Sequence, residues 1–153
     1  MNANFDEQMI QLSLSLGRSA SRLGEVAIGA VITKEEKIIA TGINLRETTK
    51  TIATHAEFFA AKKANHWIKD WRLQDCTLYC FLEPCAMCTA MLVQARIKRI
   101  VFGCYDELGG GCGGAINLHL PAHGHKPKVS SGILAKESRE QIQQFFKKQR
   151  LPS

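Results

Sequence analysis

Two short stretches carry side chains able to do chemistry, "HAE" at residues 55 to 57 and "PCAMC" at residues 84 to 88. The second holds two thiols, Cys85 and Cys88, one helical turn apart behind a proline. A pair like this serves as a redox switch, as half of a structural zinc knot, or as part of a catalytic metal site. His55 adds an imidazole, which brings the protein ligands to three. Structural zinc sites are closed by four protein groups, whereas catalytic ones keep a position for water. A bound zinc lowers the pKa of that water toward about 7. Glu57, two residues beyond the histidine, is placed to take its proton without being a ligand itself.

The elements that must position these groups follow from the pattern of apolar residues. Phe5, Met9, Leu12, Leu16, Ala20 and Leu23 recur every three to four residues and predict an amphipathic first helix. Two apolar runs, Ala27 to Thr33 and Ile38 to Ile43, are split by the charged "KEEK" and predict a hairpin. Thr54 before an Ala-rich run, with Glu57 three residues on, has the form of a capping box and predicts a helix from about His55. "CTLYCFL" predicts a strand, "EPCAMCTAMLVQARI" a helix opened by Pro84, and "RIVFGC" another strand. The glycine-dense "LGGGCGG" follows, then a weakly alternating tail and a closing helix, Ala135 to Arg150. This order predicts an α/β fold over residues 1–153, one domain with a mixed central β-sheet flanked by helices. Both chemical stretches then open helices directly after extended chain, so the two helix starts can meet at one edge of the sheet. There the positive end of the helix dipole and a metal both favour thiolate.

Composition limits the class. With 153 residues and 45% apolar content, the chain suits one compact core. No apolar run approaches the roughly 20 residues of a membrane-spanning helix. The start, "MNANFDEQMI", carries acids where a signal peptide carries Lys or Arg, so the expectation is a soluble cytoplasmic protein with no membrane partner. In that compartment the six cysteines are expected to be buried, metal-binding or catalytic rather than disulfide-paired. Cys76, Cys80 and Cys104 read as buried core residues. Cys112, with His119, His123 and His125, could suggest a second metal site, but the irregular spacing in a Gly/Pro-rich region reads instead as an exposed loop. A net charge of +6 suits an anionic partner such as nucleic acid.

His-x-Glu followed by Pro-Cys-x-x-Cys is the signature of zinc nucleobase deaminases. Beyond it, the chain resembles the bacterial tRNA-specific adenosine deaminases of the cytidine deaminase-like superfamily. The resemblance rests on "EVAIGAV" followed by Asn44, "HAE", "WRLQDCTLY", "LEPCAMC", "ARIKRIVFG", "GIL" and "FFKKQR" in that order. It implies a three-layer cytidine deaminase-like domain and one Zn2+ per chain held by His55, Cys85 and Cys88, with Glu57 as proton shuttle. It further implies that Asn44 contacts the target nucleoside and that Val26 and Leu82 line the base pocket. Asp106, Phe145, Phe146 and the basic tail would meet the RNA, the anticodon stem-loop of a tRNA, and the protein would be a homodimer. The implied reaction converts wobble adenosine to inosine and releases ammonia. The chain departs from the family's usual segments at Thr51 and Ile52, where Asp-Pro is usual, at Ala27, at Tyr105 and in "GGGCGG".

The residues alone leave rivals open. A deaminase of free guanine, cytosine or a nucleoside would use the same metal chemistry. A non-catalytic zinc or thiol module would use "PCAMC" alone. An Asn after a strand is commonly a turn residue, and a Phe pair in an amphipathic helix commonly packs on the core.

Overall fold

The computed structural model describes residues 3–118 and 124–150. Five strands form one mixed sheet in the order β2-β1-β3-β4-β5. They are β1 (Gly29–Lys34), β2 (Lys37–Ile43), β3 (Cys76–Leu82), β4 (Arg99–Cys104) and β5 (Lys128–Ser130). β1 pairs antiparallel with β2 and β3, whereas β3, β4 and β5 run parallel. All six residues of β4 are buried, as expected for an inner parallel strand covered on both faces.

The helices are α1 (Ala3–Arg22), the short α2 (Arg46–Thr49), α3 (Ala56–Ile68), α4 (Ala86–Gln94) and α5 (Ala135–Arg150). α1 and α5 touch each other and the sheet on one face. α3 lies across β1 and β2 on the opposite face and touches α4. Two glycines set these approaches: a Cβ at Gly29 would run into α1, and one at Gly42 would run into the first turns of α3.

The β1–β2 turn falls on Glu35 and Glu36, both with positive φ, at 52° and 58°. A two-residue hairpin turn of this hand needs φ above zero at both central positions, so the sequence's "KEEK" turn forms with the twist that strands favour. The α1 face is tied down by a buried ion pair. Asp6 accepts hydrogen bonds from both terminal guanidinium nitrogens of Arg99 at 2.8 Å and from the Tyr79 hydroxyl at 2.8 Å. Burial pushes the Asp6 carboxyl up, but the Arg99 and Tyr79 bonds outweigh it and hold it below the usual carboxylate range.

Register explains why one end of the sheet carries the chemistry. Gly29 stands opposite Ile43, Ala30 opposite Cys80, and Leu82 opposite Cys104. The chain leaving β2, β3 and β4 therefore emerges at the same end, carrying Asn44, Glu83 with Pro84, and Tyr105. In open α/β sheets the crevice outside the carboxyl ends of strands is where ligands bind.

Two local expectations give way. Thr54 does not cap α3, because residues Ile52–Thr54 form a separate 3-10 turn and its hydroxyl donates to the Thr51 carbonyl at 2.9 Å. The cap position is His55, in extended conformation with φ −60° and ψ 150°. The second helix is also shorter than "EPCAMCTAMLVQARI" predicts. It begins after Cys85 and ends at Gln94, and Arg96 follows with a left-handed φ of 62°.

Candidate active site

His55 and Cys85 occupy equivalent places, each the extended residue immediately before a helix. That position aims the side chain across the helix mouth, where the dipole favours negative charge. The next helical turn adds Cys88, wholly buried. The Nδ1 of His55 lies 3.7 Å from the Cys85 sulfur and 3.6 Å from the Cys88 sulfur. The three donor atoms lie within 4.8 Å of one another. Zinc–sulfur and zinc–nitrogen bonds of about 2.3 and 2.05 Å at a tetrahedral angle put ligand atoms about 3.6 Å apart. The donor set and its spacing thus fit zinc. Among the described residues no other group of three donors meets this condition.

The thiols already divide their roles. The Cys88 thiol, with His55 beside it, pulls Cys85 down to about 4 against the effect of burial. Cys88 itself is pushed up, and His55 is raised by its bond to Cys85. Cys85 is therefore the sulfur that more readily becomes thiolate, and metal binding would release the thiol protons that remain.

Glu57 sits in the first turn of α3 and is 5% exposed. Its Oε2 accepts from the Cys88 thiol at 3.6 Å and its Oε1 from the Cys80 thiol at 3.7 Å. Burial is the largest influence on its carboxyl and pushes it up. Cys80 is fully buried, as the sequence implies, but it is also a neighbour of Glu57 that sequence reasoning misses. The signal was available in principle, since alternation along β3 gives Cys80 and Leu82 the same face.

His55, Glu57 and Cys85 line the foot of a cavity of about 740 Å³. Val26, Asn44, Leu82, Asp106 and Phe146 all line it, so the structure brings five of the six expected substrate contacts together. Phe145 is the exception, 8% exposed and edge-on to Phe146 with centroids 5.4 Å apart. Neighbouring positions on a helix point in different directions, so one ring of the pair faces the cavity and the other the interior. Asn44 is buried, and its Oδ1 accepts from the Arg46 N–H at 3.1 Å. The oxygen makes the turn, as the commoner reading of an Asn after a strand has it, and the residue also lines the cavity. The sequence did not point to Arg46, Arg139 or Gln143, which also line it. Arg139, Ile142, Gln143 and Phe146 share the i, i+3, i+4, i+7 face of α5.

The glycine-dense segment is not the exposed loop the sequence suggests. Glu83, 2% exposed, accepts from the backbone N–H groups of Asp106, Cys112 and Gly114 at 2.8, 2.7 and 2.9 Å. The chain wraps so tightly that a Cβ at Gly110 or Gly114 would overlap the Glu83 carboxylate. Cys112 is buried, with its sulfur 3.4 Å from the Thr89 hydroxyl. His125 lies 2.6 Å from the Ile97 carbonyl, and His119 and His123 fall outside the described residues.

Comparison with known proteins agrees with this geometry. Residues 3–104 match the cytidine and deoxycytidylate deaminase zinc-binding region. The chain is similar to a tRNA-specific adenosine deaminase of Haemophilus influenzae, 36% identical over 98% of this chain and 88% of that protein. It is similar also to the tRNA-specific adenosine deaminase of Bacillus subtilis, 37% identical over 95% of this chain and 91% of that one. A solved structure from a study of A-to-I editing by tRNA:A34 deaminases at the wobble position of transfer RNA superposes with a TM-score of 0.81. That match is 34% identical and covers 88% of this chain and 98% of the other. With the His-Cys-Cys triangle and the buried glutamate in place, the chain belongs to the zinc-binding cytidine and deoxycytidylate deaminase family and, within it, to the tRNA-specific adenosine deaminases.

Proposed function

We propose that the protein hydrolytically deaminates the wobble adenosine of tRNA to inosine. The observation that carries this reading is the three-donor corner with Glu57 beside it at the foot of a cavity large enough for a base. Relatives named tRNA-specific adenosine deaminase, matched over about nine-tenths of their length, support it.

His55, Cys85 and Cys88 hold one zinc, which when bound supplies Lewis acidity and brings a water's pKa toward about 7. Glu57 takes a proton from the attacking water and delivers it to N1 of adenine as the oxygen adds to C6. It then carries a second proton to the departing amine, the C6–N bond breaks, and ammonia and inosine result. Its carboxyl suits this work because burial raises its proton affinity. Asn44 donates from its amide nitrogen to the nucleoside, and Val26, Ile28 and Leu82 supply apolar surface for the purine. Asp106 and Phe146 meet the RNA beside the target. An anticodon loop offers its bases unstacked at less cost than a duplex does.

The setting follows from the substrate: cytoplasmic, and homodimeric as in the family. Among the described residues no helix is long and apolar enough to cross a membrane. Light scattering of the zinc-loaded protein at micromolar concentration checks the dimer, and a monomeric mass would exclude it.

The direct test incubates zinc-loaded protein with unmodified tRNAs bearing adenosine at the wobble position, with Glu57→Ala as blank, and quantifies inosine by mass spectrometry. Inosine confined to that position is expected. None from zinc-replete protein would overturn the reading in favour of a free base or nucleoside.

A further inference from the structure

We propose that Arg46 and Arg139 are phosphate contacts, gripping the phosphodiester groups of single-stranded RNA on two sides of the nucleotide that enters the cavity. This deepens the tRNA reading and rests on it. Among the described residues these two are the only Lys or Arg side chains lining the cavity. They come from different walls. Arg46 opens α2 two residues after Asn44, and Arg139 lies on the α5 face that also presents Gln143 and Phe146.

Both guanidinium groups are open to a ligand. Arg46 makes one long contact, Nε to Glu47 at 3.9 Å, with its side chain 43% exposed. Arg139 is exposed. A planar fork of five donors suits the oxygens of a phosphate.

A second feature shows that the Arg46 wall is built rather than incidental. Glu25, fully buried, accepts from the Thr48 hydroxyl at 2.6 Å, the Thr48 N–H at 2.7 Å and the Glu47 N–H at 3.0 Å. It thereby pins the turn that carries Arg46 next to Asn44. The remaining wall, Asp106 to Gly109, carries Asp106 and Glu107 and repels phosphate. The phosphates are therefore drawn toward the two arginines and away from the acids, which leaves Asp106 to meet the RNA through base or ribose groups and orients the target base inward.

The test uses full-length, zinc-loaded protein and an RNA anticodon stem-loop with adenosine at the wobble position. Arg46→Gln, Arg139→Gln, the double variant and both Lys replacements are compared from about 50 to about 200 mM salt. Each Gln change should raise KM about five- to tenfold, with the loss falling on KM rather than kcat. The slope of log KM against log salt should become shallower by about 0.7 per arginine removed. Lys, which keeps the charge, should recover most of that slope. An unchanged KM and slope in the double variant, with wild-type inosine formation intact, overturns this proposal alone, as does a loss of salt slope that Lys fails to restore. Wild-type protein that neither binds the stem-loop nor makes inosine overturns the tRNA reading and this inference with it.

Discussion

Glu57 and Glu83 are both buried acids in one corner of the molecule, 5% and 2% exposed, yet their surroundings are opposite. Glu83 faces three backbone N–H groups at hydrogen-bond distance. Fixed backbone donors hold its carboxylate oxygens in place. Glu57 meets its own backbone N–H and two thiols, at 3.6 and 3.7 Å, which are weak donors. Thiols compensate little for lost water, and its carboxyl is pushed up. One acid is scaffold for the turn that presents Cys85, and the other is free to exchange a proton. Asp6 and Glu25 fall on the Glu83 side of this division, each saturated by strong donors and each lowered despite burial.

The largest effect that should separate the two classes is on turnover. Glu57→Gln should cut kcat by about 10³-fold, within the range that general acid-base groups supply, while zinc content by mass spectrometry is unchanged. Residual activity above a tenth of wild type would remove Glu57 from the proton path. The saturated acids should fail differently, in stability. Asp6→Asn leaves Arg99 buried without its counter-charge and should cost about 3–5 kcal/mol at pH 7 by urea unfolding. The folded carboxyl lies below its unfolded value, so this contribution is present above about pH 4 and lost as pH falls through the lowered folded value. The gap between wild type and variant should therefore narrow toward pH 3, and a constant gap would contradict the ionic origin.

Next in size, Glu83→Gln keeps the shape but removes the charge and offers an amide where backbone donors point. About 2–3 kcal/mol of stability should be lost, with kcat in the folded fraction reduced far less than by Glu57→Gln. Comparable kcat losses in both variants would erase the distinction between the two acids. The smallest effect should come from Cys80→Ala, which removes one of the two thiols on Glu57. A fall in kcat of a few-fold, with zinc retained, is expected in single-turnover assays.

The motif corner was the most legible part of the sequence, because His55, Glu57, Cys85 and Cys88 sit at helix starts whose positions depend on local chemistry. The closing helix was equally clear, and Ala135–Arg150 forms over the expected span. Local rules failed where distant chain decided the outcome. Thr54 looked like a cap, but its hydroxyl shares a 2.7 Å bond with Thr49 inside a turn that Glu25 anchors from another segment. The "LGGGCGG" stretch looked like solvent-exposed loop because glycines carry no pattern. Its order comes from a carboxylate more than twenty residues away in the chain. The short β5 was hidden for a similar reason, since three residues held by parallel pairing to β4 leave almost no periodic signal.

The metal ligands themselves come from two helix starts, with His55 thirty residues before Cys85 in the chain. Unfolding separates that histidine from the two sulfurs, so the denatured chain retains only a two-thiol fragment of the site. Zinc must then bind the native state more tightly than the unfolded one, and the difference appears as folding free energy. Free zinc at a hundred times its dissociation constant would raise stability by about 2.7 kcal/mol, less whatever the Cys-x-x-Cys fragment captures when unfolded. Metal supply would thereby set how long this chain survives in the cell as well as whether it turns over.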